Sequence, residues 1–192
     1  VRESSAVNIL KSWGLDATLV LDPTFMLDRV EWKKYASKRL VNEPYLFVYL
    51  PYNIVDKALI YRTVRKIAAK KNLKVVTYSD SIVREKNADK TIFFVDAGDV
   101  LSLFYYADTI ITNSFHGTAF SINLNKPFWV YKPSSFYTRI ANILNLCQLS
   151  DRLLENEITF KQVNEVIDYS SVNAVLRRER EVTLDFLKKA LL

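Results

Sequence analysis

Short apolar runs alternate with helical stripes along most of the 192 residues. Six runs, Thr18–Leu21, Tyr45–Leu50, Lys74–Tyr78, Thr91–Val95, Thr109–Thr112 and Phe128–Tyr131, are rich in β-branched or aromatic residues and carry no polar face. Strands that are apolar on both sides belong in a parallel sheet covered by helices. The intervening spacing predicts helices. One runs from about Asp56 to Lys71, with Ile60, Val64, Ile67 and Ala68 on one stripe and Asn72 as its stop. Another, capped by Asp99, buries Val100, Leu103, Phe104 and Ala107. An opening helix capped by Ser4 or Ser5 carries Val7, Leu10 and Trp13 and ends at Gly14, and Trp32 with Tyr35 marks a further turn or two. From about residue 134 the pattern becomes helical. Phe136, Ile140, Ile143 and Leu144 form one stripe, and Phe160, Val163 and Ile167 another. A long terminal helix is marked by Val172, Val175, Leu176, Val182, Phe186, Leu187 and Leu191, and it packs either on this domain or on an absent partner. The expectation is one α/β domain over residues 1–192, with a mostly parallel sheet of five or six strands and helices on both faces.

The single histidine, His116, follows the Thr109–Thr112 run within Asn113-Ser114-Phe115-His116-Gly117-Thr118, where a helix can open. A strand-to-helix turn in an open α/β sheet presents backbone N–H groups that hold anions. Imidazole also suits proton transfer near neutrality. His116 is therefore either a proton donor and acceptor or a local brace of the turn. Gly117 allows close backbone approach, while Ser114 and Thr118 serve either as ligand contacts or as helix caps. Lys132 and Arg139 follow the Phe128–Tyr131 run and are the cations nearest the same sheet edge, each a ligand contact or a surface charge. Tyr52 and Asn53 fall at that edge too. Asp22 and Asp28 read as turn and cap residues rather than a catalytic pair.

A net charge of +6 gathers in Arg62, Arg65, Lys66, Lys70, Lys71 and Lys74. This is either the solvated face of an amphipathic helix or a patch for polyanions or acidic lipid. No nucleic-acid motif accompanies it, so nucleic acid is not an expected partner, and a peripheral membrane contact stays open. One cysteine, Cys147, excludes an internal disulfide, and one histidine with one cysteine argues against zinc. Nothing calls for a metal or cofactor. No apolar stretch reaches the roughly 18 residues of a membrane span. The chain begins Val1-Arg2-Glu3 rather than with methionine, so it reads as a piece of something longer.

Several phrases occur in a telling order: Leu21-Asp22-Pro23-Thr24-Phe25-Met26-Leu27-Asp28 with Trp32, then Thr112-Asn113-Ser114-Phe115-His116-Gly117-Thr118-Ala119-Phe120-Ser121, then Asn125-Lys126-Pro127-Phe128, Arg139, Leu144-Asn145-Leu146 and Asp151-Arg152-Leu153. From about Val1 to Leu154 the chain resembles the C-terminal half of the polysaccharide pyruvyl transferase family. The resemblance implies a Rossmann-like lobe of a two-lobed, GT-B-like enzyme whose N-terminal lobe is absent from this chain. It implies a cytoplasmic transferase that moves the pyruvyl skeleton of phosphoenolpyruvate to sugar hydroxyls as a ketal, with a glycan or lipid-linked oligosaccharide of the bacterial cell surface as acceptor. Relatives carry an arginine two residues before the motif histidine, and Ser114 stands there instead. Cationic help for the donor then falls to Arg139 or Lys132, with His116 as catalytic residue and Asn113, Ser114, Gly117 and Thr118 beside it. A glycosyltransferase lobe using a nucleotide sugar and a non-catalytic module for glycans or polyanions are the other readings. No clear acidic residue for ribose hydroxyls stands out. In a two-lobed enzyme this chain alone would be catalytically silent.

Overall fold

The computed structural model describes residues 1–53, 56–133 and 137–191. Among these, a six-stranded, all-parallel sheet is built from β1 (Tyr45–Tyr49), β2 (Lys74–Ser79), β3 (Lys90–Phe93), β4 (Thr109–Thr112), β5 (Phe128–Tyr131) and the two-residue β6 (Leu153–Leu154). The strand order is β3-β2-β1-β4-β5-β6. Helices α1 (Ser4–Ser12), α2 (Arg29–Lys33), α3 (Lys57–Lys71), α4 (Ala97–Tyr106), α5 (Phe115–Asn123), α6 (Tyr137–Leu146), α7 (Phe160–Val163) and α8 (Tyr169–Leu191) connect and cover it.

The absence of a polar face on the strands has a direct cause. Successive residues feed two separate cores. Phe47, Val76, Ile110, Phe128 and Val130 point to the layer of Leu103 and Phe104 from α4, Ala119 and Ile122 from α5, and Ile140 from α6. Leu46, Val48, Val75, Ile111 and Trp129 point the other way, onto Ile60, Val64 and Ile67 of α3 and Val163 of α7. The sheet is therefore a Rossmann-like layer with helices on both faces, as expected from runs without a polar side. Helix α3 is capped by Asp56, which accepts from the Leu59 amide at 2.8 Å, and stops at Asn72 in the left-handed conformation.

Some elements depart from the sequence pattern. Thr18–Leu21 is no strand. The Leu21 amide donates to Thr183 Oγ1 of α8 at 3.0 Å, and the Val20 amide to the Val1 carbonyl, so the run threads between helices instead of joining the sheet. Strand β3 begins one residue earlier than expected and ends at Phe93 rather than Val95. Asp99 is not the cap of α4. Asp96 occupies that position, and Asp99, three residues on, completes the reciprocal capping box. Neither Ser4 nor Ser5 caps α1, whose N-cap residue is Glu3, and the helix buries none of its residues, leaving Trp13 69% exposed. The last third also contains β6. Phe136 lies outside the described residues.

Helix α8 docks on this domain. The Tyr169 hydroxyl donates to the Lys126 carbonyl at 2.5 Å, and Arg180 donates to the Phe25 carbonyl and to Asn123 Oδ1 at 2.5 and 2.7 Å. Asn123 in turn donates to the Thr24 and Leu27 carbonyls. The Leu21–Asp28 phrase is thus a knot that holds the C-terminal end of α5. Asp22 and Asp28 are turn and cap residues within it: Asp22 accepts from the Thr24 amide and pairs with Arg2 at 2.6 Å, and Asp28 caps α2. No helix among the described residues is long and apolar enough to cross a membrane.

Candidate functional site

The strand order reverses between β1 and β4, which opens a crevice outside their carboxyl ends. Tyr49 and Thr112, the last residues of these strands, stand in register across it. The two loops that follow are tied together by Asn113 Nδ2, which donates to the Tyr52 carbonyl at 2.9 Å.

The turn from β4 into α5 is closed by its own hydroxyls. Thr112 Oγ1 accepts from the Ser114 amide at 3.1 Å, and Ser114 Oγ caps the helix by accepting from the Gly117 amide at 3.4 Å. Thr118 Oγ1 donates to the Ser114 carbonyl at 2.8 Å and Ser121 Oγ to the Gly117 carbonyl at 2.7 Å. All four of these side chains are buried. Ser114 and Thr118 therefore act as a cap and an internal tie of this turn. Gly117 also needs a different account from the one its sequence suggests. A Cβ there would overlap Thr112 Oγ1 and come within 2.9 Å of Thr112 Cβ and 3.0 Å of Tyr49 Cδ1. Its missing side chain lets α5 lie against β4.

His116 is the exposed residue of this turn. The cap leaves the amides of Phe115 and His116 without an acceptor among the described residues, at the positive end of a nine-residue helix. The His116 ring meets the Phe115 ring edge-on at 5.4 Å, and the Arg139 guanidinium lies 5.4 Å from the same Phe115 ring. Two of the expected residues are so brought together around one phenylalanine. Arg139 is half-buried and pairs with Glu3 at 3.7 Å. Its cleft, about 480 Å³, is walled also by Phe25, Phe115 and Ile143 and does not include His116.

Lys132 and Asn113 form a second group. They share a cleft of about 440 Å³ with Tyr131 and Glu155, on the α3 side of the sheet. Lys132 pairs with Glu155 at 3.8 Å and lies over the Tyr137 ring. Asn113 Oδ1 is buried without a hydrogen-bond partner among the described residues. No group of three or more His, Cys, Asp or Glu residues among the described residues could hold a metal.

The basic helix face is committed to local pairs. Arg62 and Lys66 both reach Glu157 at 3.3 Å, Lys66 donates to the Ile158 carbonyl, Arg65 sits 4.0 Å from Asp89, and Lys70 lies over Phe160. These contacts fasten α3 to the segment after β6 and, through Arg65, to the residue before β3, and they are what a solvated amphipathic face provides. Lys126 of the Asn125-Lys126-Pro127 phrase is structural as well. It donates to the Ala107 carbonyl at 2.9 Å, and burial pushes its ammonium down to about 8.

One acidic residue at this edge escaped the sequence reading. Asp80 directly follows β2, exposed at the strand's carboxyl end beside Tyr52 and Tyr78. The run Lys74–Tyr78 already carried the signal: wherever that strand ends, Asp80 lies just past it.

A family model described as polysaccharide pyruvyl transferase matches residues 1–135. That range covers His116 and Lys132, and Arg139 lies just beyond it. No curated protein sequence matches the chain. Among solved structures, the chain is similar to the glycotransferase of kitacinnamycin, with a TM-score of 0.52 and 14% identity over 82% of this chain and 46% of that one. It is also similar to the S. aureus MnaA–UDP co-structure, with a TM-score of 0.52 and 13% identity over 95% and 52%. The chain spans about half the length of these solved proteins, and the likeness shows the fold alone.

Proposed function

The chain belongs to the polysaccharide pyruvyl transferase family, and from that premise we propose that it moves the pyruvyl skeleton of phosphoenolpyruvate onto sugar hydroxyls of a surface polysaccharide or its lipid-linked precursor. The product is a ketal, and phosphate is released. The observation that carries this reading is the exposed His116 on the first turn of α5, at the reversal of strand order, with two open amides beside it.

The chemistry follows from those groups. His116 as imidazolium protonates the methylene carbon, which leaves cationic character on the carbon bearing phosphate. A sugar hydroxyl adds there and gives its proton to the now neutral imidazole. A second hydroxyl of the same sugar then takes the place of phosphate: the C–O bond to phosphate breaks, and the hydroxyl's proton leaves with the departing phosphate. The amides of Phe115 and His116 and the helix end hold the donor's phosphate or carboxylate. Arg139, behind Phe115, supplies the cation that Ser114 does not, once the donor anion displaces Glu3. In this reading the chain is one lobe of a cytoplasmic two-lobed enzyme. The exposed Ile82, Val83 and Phe94 at the same sheet edge suit contact with a facing lobe.

A second reading, transfer from a nucleotide sugar, is favoured by Asp80 at the end of β2. A donor screen on the full-length protein separates the two, scored by mass gain on candidate acceptors. Phosphoenolpyruvate is expected to add a pyruvate ketal, with His116→Ala lowering turnover by roughly 10²-fold or more. A hexose gain from a nucleotide sugar, with none from phosphoenolpyruvate, overturns the pyruvyl reading.

A further inference from the structure

A cleft of about 530 Å³ opens at the carboxyl ends of β1 and β2, walled by Tyr52, Asn53, Tyr78, Asp80, Ser81 and Arg84. Tyr78 of its wall is linked to the α5 turn through Tyr49. Tyr49 stacks on Tyr78 with ring centroids 5.6 Å apart and planes at 21°, and the Tyr49 ring also abuts Gly117, the neighbour of His116. The Tyr52 carbonyl, which accepts from Asn113, ties the cleft's wall to the same turn.

Two of the four charged residues around the cleft pair with each other. Lys57 and Glu85 pair at 2.5 Å on its α3 side. Asp80 and Arg84 are exposed and have no ion-pair partner among the described residues. The Asp80 carboxylate is close enough to add to the upward push that burial gives the Tyr78 and Tyr49 phenols. The wall thus offers one free carboxylate, one free guanidinium, an amide, a serine hydroxyl and tyrosine rings. Those groups match a sugar ring: the carboxylate accepts from adjacent hydroxyls, Asn53 and Arg84 donate to ring oxygens, and aromatic carbon covers the C–H face. Position agrees with composition, because in dinucleotide-binding sheets of this strand order an acid of this kind reaches the hydroxyls of a ribose.

We propose that this cleft is a sugar-ring site in which Asp80 accepts hydrogen bonds from a vicinal diol. The ring belongs to the acceptor glycan, which rests on the pyruvyl-transfer reading, or to the ribose of a nucleotide. Amide NMR titrations of the chain and of Asp80→Asn distinguish these, with methyl glycosides of galactose, glucose and mannose in one arm and UDP in the other. The expected result is saturable shifts at Tyr52, Asn53 and Ser79–Ser81 in one arm, with a dissociation constant at least tenfold weaker in the variant. A response to glycosides identifies the acceptor, and a response to UDP identifies the ribose. Absence of these shifts in both arms, or equal affinities for the two chains, overturns the proposal. Phosphoenolpyruvate titrated into Asp80→Asn checks the other reading separately: shifts at Phe115 and His116 that persist there leave pyruvyl transfer standing whatever the sugar arms show.

Discussion

On the β4 side of the crevice, the hydroxyls of Thr112, Ser114, Thr118 and Ser121 all engage backbone groups of their own turn and helix, and all four residues are buried. On the β2 side, Asp80 and Arg84 stand exposed with no ion-pair partner among the described residues. The first wall is dense with motif and the second has none. Clustered small and hydroxylated residues here meet a folding demand, the close seating of α5 on β4, which holds one exposed histidine and two amides at the crevice. The residues free to meet a ligand are scattered, because nothing in the fold requires them.

Gly117→Ala tests the β4 wall most severely. In an unobstructed helix interior this change gains up to about 1 kcal/mol. Here the added methyl overlaps Thr112 Oγ1 and crowds Tyr49, and the helix cannot lift without breaking the Ser114 cap. Overpacking of this kind outweighs the propensity gain, and a net loss of about 3 kcal/mol is expected in urea unfolding. A variant as stable as the parent would mean that α5 is not seated on β4 as described.

The same contrast explains what the sequence disclosed. Strands β1, β2, β4 and β5 were legible because the centre of each is buried on both faces and so presents no polar face. Thr18–Leu21 carries the same apolar signal but lies against helices. Composition cannot tell a strand buried in a sheet from an extended segment that crosses α8. Strand β6 contributes only Leu153 and Leu154, too short a run for any periodicity. At the site, the position of His116 at the strand-to-helix turn was legible from the Thr109–Thr112 run. The roles of Ser114, Gly117 and Thr118 were not, because capping and ligand binding use the same residue types. The separation of Lys132 from Arg139 was hidden as well. Both follow β5, yet one turns to Glu155 and the other reaches across to Glu3 and Phe115.

A smaller effect probes the Arg139 pair. If the donor anion must displace Glu3, Glu3→Gln removes a competitor. Half-buried pairs of this kind contribute up to about 1 kcal/mol, so phosphoenolpyruvate binding is expected to tighten by roughly two- to fivefold. Calorimetric titration of the variant checks this. Weaker binding would show that Glu3 orients Arg139 for the donor instead of blocking it.

The central claim, that the donor anion sits at the N-terminal end of α5, is tested most directly by titrating the chain with phosphoenolpyruvate and following backbone amide shifts. Saturable shifts are predicted at Phe115 and His116, extending to Arg139, in the millimolar range that corresponds to about −4 kcal/mol. Shifts centred instead on the basic face from Arg62 to Lys74, with none at Phe115 or His116, would contradict it.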